Sequence, residues 1–359
     1  MKGQRMIGKY GMQAAAVLAV ALLIYKGNSA VVYGRDALGL CYEMIIPTLF
    51  PFFVCSSVLV YSGFCAAISR LFSPVMRPLF GVDANGSAPF LLGIISGYPL
   101  GALTACQLYE SSYLSKSDTE KLLAFCNNSG PLFILGSVGV GLYGSLKVGG
   151  ILYLTHILAA LTVGILFRFY KRDAYIPPKT VIGVKPMGSG ELFTKALQAS
   201  VVSILNVCGA VIFFSILSRI LLEFVSCSSE IRGMLFGICE FTTGCSAVAG
   251  LSVSPAMRMT MTAFIIGFGG FSVHMQVLGV VSPYGLSLKP YMAGKLLHGL
   301  LAAVYTNLLV RCGGVFVFAQ KNTAPNMWDG NLLFYALAVL FVIYLIYIVK
   351  HYFNERLER

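Results

Sequence analysis

The stretch "FCNNSGPLFILGSVG", Phe125 to Gly139, decides how this chain is read. Two asparagines, a serine, a glycine and a proline interrupt an apolar run. Between Leu122 and Phe167 the only Asp, Glu, Lys or Arg is Lys147. In a segment that lives in hydrocarbon, breaking the helix frees backbone N–H and C=O groups. These survive only where they are buried in protein or line a watery cavity.

Composition places the segment in hydrocarbon. Of 359 residues, 57% are hydrophobic and 11% charged, and the mean hydropathy is +0.80. Soluble domains carry about a quarter charged residues, so the chain reads as an all-α, polytopic protein of the lipid bilayer. The net charge of +12 does not point to nucleic acid. Its basic residues gather at Lys2, Arg5 and Lys9 and in the loop 168–195. There Arg168, Lys171, Arg172, Lys179, Lys185 and Lys195 face only Asp173 and Glu191, the pattern of a cytoplasmic loop. Ten cysteines are scattered without a C-x-x-C pair, which indicates neither a disulfide framework nor a zinc site. The chain has no G-x-x-x-x-G-K-[ST], H-E-x-x-H or Ser-His-Asp pattern, so it reads as no enzyme and needs no cofactor.

Met12–Ile24 has the length of a signal-peptide core, with Ser29 and Ala30 as a small-residue end. Because many apolar segments follow, it reads instead as an uncleaved first span reaching toward Tyr33. The others lie at about 37–64, 87–109, 122–143, 148–168, 196–222, 232–251, 257–282, 290–311 and 331–350. If all ten crossed, the basic loop would fall outside. Making 87–109 re-entrant at "SGYPLGA" removes the conflict, because Gly97, Pro99 and Gly101 invite a turn. A second re-entrant segment at 232–251, around "FTTGCSA", returns the C-terminus to the cytoplasm.

Internal similarity supports the same picture. "FCNNSGPLFILG" at 125–136 aligns with "FGGFSVHMQVLG" at 268–279, "HILAA" at 156–160 with "HGLLAA" at 298–303, and Gly93 with Gly237. The expected organisation is an N-terminal transmembrane helix (1–35), a first repeat (36–169), a basic cytoplasmic loop (170–195), a second, inverted repeat (196–312) and a C-terminal transmembrane helix and tail (313–359). Inverted repeats with interrupted segments at matching positions are the architecture of secondary transporters.

The four interruptions, "SGYPLG", "NNSGP", "EFTTG" and "FGGFS", supply the candidate binding residues. These are Ser96 and Gly97; Asn127, Asn128, Ser129 and Gly130; Thr242 and Thr243; and Ser272 with His274 and Gln276 just beyond it. A half-helix starting near Pro131 points its positive end at the break, where anions are favoured. The alternative is a kink whose freed groups neighbouring helices satisfy. Glu240 is the ion-coupling candidate, able to carry a proton or hold a cation; alternatively it pairs with Arg258, Lys289 or Lys295. His156 and His298 read as helix–helix hydrogen-bonding residues, and Glu43 as interfacial. Neutral amides and hydroxyls, helix N-termini, Lys289 and Lys295 against a single acid favour a small anion or a polar neutral solute.

At "IIPTLFPFF" (45–53), "SGYPLGA" (96–102), "EKLLAFCNNSGPLF" (120–133), "GFGGFSVHMQVLGV" (267–280) and "KPYMAGKLLHGLLAA" (289–303) the chain resembles the sporulation integral membrane proteins of the YlbJ type, also called SpoVV. That group carries a nucleoside-recognition or "Gate" domain shared with concentrative nucleoside transporters, spore maturation proteins and the FeoB iron transporter. The resemblance covers about 36–312, making the two repeats Gate-type. It implies a role in endospore formation and residence in the mother-cell membrane that becomes the outer forespore membrane. It further implies movement of dipicolinate, a planar aromatic dianion whose carboxylates suit helix N-termini. Sporulation membrane proteins or further copies of the chain are the expected macromolecular partners. Two rivals stay open: a transporter of nucleosides or another solute, and a non-transporting scaffold of a spore-specific complex.

Overall fold

The structure is a computed structural model and describes residues 2–62, 72, 74–171 and 188–312. The expected last span, 331–350, and most of the basic loop lie outside the described residues. Every regular element among the described residues is helical.

The chain begins with α1 (Lys2–Tyr25) and turns by 100° at Lys26. The bend falls inside the stretch read as one span to Tyr33. Beyond it α2 (Gly27–Leu40) continues through a π-helical turn, Cys41–Ile45, into α3 (Ile46–Tyr61). Pro47 follows the widened turn. Proline has no N–H and its ring collides with the carbonyl four residues back, and a π turn accommodates both defects.

Next come two short helices, α4 (Ser87–Ser96) and α5 (Leu100–Glu110), joined by a tight turn at Gly97–Pro99. Helix α6 (Lys116–Leu123) is separated by an irregular stretch from α7 (Leu132–Leu142), which is wound in π turns. The long α8 (Leu146–Phe167) completes this half. The order then recurs: long α9 (Ser189–Glu223), the short pair α10 (Ser229–Cys239) and α11 (Phe241–Ala249), the interrupted pair α12 (Pro255–Phe268) and α13 (Gly270–Val281), and long α14 (Lys289–Cys312). Both expected re-entrant segments are thus helical hairpins, and both "NNSGP" and "FGGFS" are helix breaks.

The helices are inside-out by aqueous standards. On α14 the stripe Leu296, Leu300, Val304 and Leu308 is exposed, while Lys295, His298, Ala302 and Thr306 are buried. The two sets recur every three or four residues, so they occupy opposite faces of one helix. Lipid accepts the apolar face, and the polar face must be satisfied by neighbouring helices.

Hydrogen bonds between helices do so. Thr155 Oγ1 and Thr306 Oγ1 lie 2.8 Å apart, Tyr143 and Thr262 hydroxyls 2.7 Å, and Asn307 Nδ2 donates to Thr260 Oγ1 at 3.2 Å. Each is worth roughly 0.6 kcal/mol between membrane helices. Small residues let α12 and α14 approach: a Cβ on Gly267 would meet the Gly299 Cα at 2.7 Å. Three contacts join residues 142 or 143 positions apart, His156 with His298, Ser57 with Ser200 and Thr162 with Tyr305. That is the offset between the stretches of sequence aligned above.

Candidate functional site at four helix breaks

Two breaks meet in the first half. Gly97 ends α4 at φ +81, a left-handed value that favours glycine. A Cβ there would lie 2.9 Å from the Gly130 amide nitrogen. Behind it, Gly93 and Gly101 flank the Cys126 carbonyl so closely that neither could carry a side chain without moving backbone. The hairpin therefore grips the stretch Asn127–Gly130 directly.

The second half repeats the arrangement. Gly269 and Gly270 break α12 from α13 at φ +87 and +69, and a Cβ on Gly270 would lie 2.9 Å from the Phe241 nitrogen. Glu240 sits at that hairpin tip, wholly buried. Its carboxylate oxygens accept the N–H groups of Thr242 at 3.0 Å and Thr243 at 2.6 Å, capping α11. No ion pair with the suggested cations forms: Arg258 donates to the Ala249 carbonyl and Lys295 to that of Asn127. Lys289 is exposed at the start of α14, away from the breaks.

The two halves touch at their breaks. Phe241 packs edge-on against Tyr98, with ring centroids 5.3 Å apart, and lies 4.9 Å from Phe133. Lys295, 1% exposed, runs its stem past Gly269, where a Cβ would sit 3.8 Å from its Cε. Its ammonium donates to the Asn127 carbonyl at 3.1 Å and lies 3.3 Å from His298 Nδ1. The His298 Nε2–H donates to the His156 carbonyl at 2.9 Å, and the Ser129 N–H donates to His156 Nε2 at 3.1 Å. The histidines are thus helix–helix hydrogen-bonding residues, as expected, and one of them also holds the break.

Among the described residues, several buried polar groups at this junction close no hydrogen bond of good geometry. Both side-chain atoms of Asn127, Oδ1 of Asn128, the hydroxyls of Ser129, Thr243 and Ser272, and His274 Nε2 are in this state. Asn128 does use its Nδ2, on the Phe125 carbonyl at 2.9 Å. The structure therefore brings together Gly97, Asn127, Asn128, Ser129 and Gly130 in one half and Glu240, Thr242 and Thr243 in the other. Ser96, Gly97, Ser129 and Gly130 border a cavity of about 30 Å³, room for about one water. Ser272 and His274 are buried on the first turns of α13, where His274 Nδ1 bonds the Gly270 carbonyl at 2.7 Å and its ring meets Tyr291. Gln276 lies further along α13 and is only half-buried.

Tyr98 and Tyr291 were not singled out from sequence, and Lys295 only as a nearby cation. A lysine and a histidine three apart on an otherwise apolar helix, "KLLH", were the available signal. A larger cavity of about 190 Å³ lies between α2, α9, α10 and α11. Thr243 and Ser246 form part of its wall, beside the Arg219–Asp36 ion pair of 2.6 Å. Among the described residues no three His, Cys, Asp or Glu side chains converge to hold a metal.

Apolar faces turned outward, polar faces turned inward and broken helices paired in the core define an integral, multi-pass helical membrane protein. Comparison with known proteins narrows this. In an alignment of 311 positions that covers 77% of the chain, it is 31% identical to the sporulation integral membrane protein YlbJ of Bacillus subtilis (strain 168), and it spans 76% of that protein. It belongs to that family. The family model described as "Nucleoside recognition", or Gate, matches residues 43–220. Among solved structures, a single-residue variant of CNTnw in an intermediate state covers 88% of each chain at 14% identity and a TM-score of 0.48. A two-residue variant of CNTnw in an outward-facing state matches at 13% identity and a TM-score of 0.49, over 88% of this chain and 87% of that one.

Proposed function

We propose that this protein is a sporulation membrane transporter that moves a small organic anion, dipicolinate, across the mother-cell or outer forespore membrane by alternating access. The observation that carries the reading is the set of unpartnered, buried polar groups at the meeting of four helix breaks. A buried polar group without a partner costs about 1–3 kcal/mol, and such groups are retained where a solute can satisfy them. The buried ammonium of Lys295 beside them sets the sign of that solute.

Contacts between residues one repeat apart support a two-fold relation between the halves, because only positions on such an axis meet their own counterparts. We take the repeats as inverted, in keeping with the basic N-terminus and loop, so that rocking one against the other exposes the breaks to either face. Glu240 is the residue we assign to the coupling ion. A second reading, a nucleoside carrier, draws on the matched family description and on the neutral amides and hydroxyls at the breaks.

Ligand-induced thermal stabilisation of the purified protein separates these readings. A ligand at a hundred times its dissociation constant adds about 2.7 kcal/mol to the native state. Stabilisation by dipicolinate and not by uridine is the expected result. Stabilisation by uridine alone favours the nucleoside reading. No response from folded protein favours the scaffold.

A further inference from the structure

Among the described residues, Lys295 is a buried amine without an acidic partner. An ammonium taken out of water needs compensation from charge as well as from hydrogen bonds. Its two bonded partners are the Asn127 carbonyl and His298 Nδ1, neither of which is negative. Among the described residues, the titratable groups that act on it electrostatically are His298 on its own helix, His156 from α8, His274 from α13 and Cys126 beyond the end of α6, and Tyr291 lies one turn before it on α14. None is a carboxylate, and Glu240 spends both oxygens on its own helix.

The hydrogen-bond pattern also assigns the imidazole protons. An ammonium has only donors, so His298 Nδ1 receives from it and the His298 proton sits on Nε2, aimed at the His156 carbonyl. His156 Nε2 receives the Ser129 N–H, so the His156 proton sits on Nδ1, where it finds no acceptor. The Asn127 amide and the Ser129 hydroxyl are buried beside the phenol oxygens of Tyr291 and Tyr98 and close no hydrogen bond of good geometry. The lysine amine, the unused His156 N–H and these two loosely held donors therefore surround the same break.

We propose that Lys295 binds a carboxylate of the transported anion, giving up the Asn127 carbonyl in exchange, while the donors at the break take the remaining carboxylate lone pairs. This rests on the anion reading above and names its recognition residue. It also gives binding a mechanical consequence. The Lys295–Asn127 bond ties a break of the first half to a helix of the second, so the arriving anion loosens a tie between the halves at the moment it is recognised.

The test is calorimetric titration of the full-length protein in detergent with dipicolinate and with its uncharged dimethyl ester. Wild-type protein is expected to prefer the dianion over the diester by roughly thirtyfold or more. Lys295→Gln is expected to lose that preference by weakening dipicolinate while leaving the diester within about threefold, and Lys295→Arg to keep most of it. Equal wild-type affinity for the two ligands overturns the proposal without needing a variant. So does unchanged dipicolinate binding in Lys295→Gln, or an equal loss of both ligands, which marks a structural tie only. A wild-type protein that binds neither ligand overturns the anion reading and this inference with it.

Discussion

Lys295 reaches from α14 to the backbone carbonyl of Asn127, 3.1 Å away and 168 residues earlier in the chain. The acceptor is a main-chain atom, so the tie survives any change of the Asn127 side chain. That side chain is buried beside the Tyr291 hydroxyl and closes no hydrogen bond of good geometry. Asn127→Ala is therefore expected to leave stability unchanged or raise it by up to about 1 kcal/mol, while weakening dipicolinate binding. Melting temperature and ligand shift measured on one preparation check both halves of the statement. A substantial loss of stability would mean that the amide is satisfied within the fold.

Gly97 holds φ +81 against Gly130. Gly97→Ala is expected to cost about 1–3 kcal/mol from backbone strain alone, with the contact at Gly130 adding to it. Gly209, inside α9 with nothing near a Cβ, is the control. Gly209→Ala is expected to stabilise by about 0.5–1 kcal/mol. Thermal unfolding in the same detergent compares the two.

Glu240 caps α11 through both oxygens. Glu240→Ala strands two buried N–H groups and is expected to cost about 1–3 kcal/mol. Glu240→Gln retains one amide oxygen and should lose less. Equal melting temperatures for the two variants and wild type would remove the capping role.

Lys171 pairs with the buried carboxylate of Glu120 at 3.1 Å, and Glu120 also accepts the Ser287 N–H at 3.0 Å. The hydrogen bond the lysine donates to Glu120, followed by that to Tyr170, pushes the lysine above its ordinary value of 10.5. A raised lysine contributes stability that is complete below its unfolded pKa and fades only as pH rises through the higher folded one. The melting-temperature difference between wild type and Lys171→Met is therefore expected to stay flat from about pH 6 to about pH 9 and to shrink only above about pH 10. A difference that collapses near neutrality would contradict the pairing.

Contact between α12 and α14 at Gly267 and Gly299 leaves no room for a side chain. Gly299→Val is expected to separate the helices at a cost of about 1–3 kcal/mol. It should also disturb the neighbouring Lys295–His298 bonds. Hydrogen exchange along α14 and at residues 124–131 reads that loss directly.

The medium, the helical class and the interruptions were legible in the sequence because each is local or compositional. Few charges, long apolar runs, and Gly, Pro and Asn inside them act on the chain's own backbone, whatever packs against it. The family was legible for the same reason, through short runs such as "FCNNSGPLF". Tertiary structure decided which of these residues meet. It set Glu240 on its own helix rather than on a cation, left Lys289 at the surface, drew Tyr98 and Phe241 into contact across the halves, and brought Lys295 to a carbonyl 168 residues away. Those outcomes depend on the geometry of long-range packing, where a few ångströms separate a capped carboxylate from an ion pair, and residue order carries no direct trace of that distance.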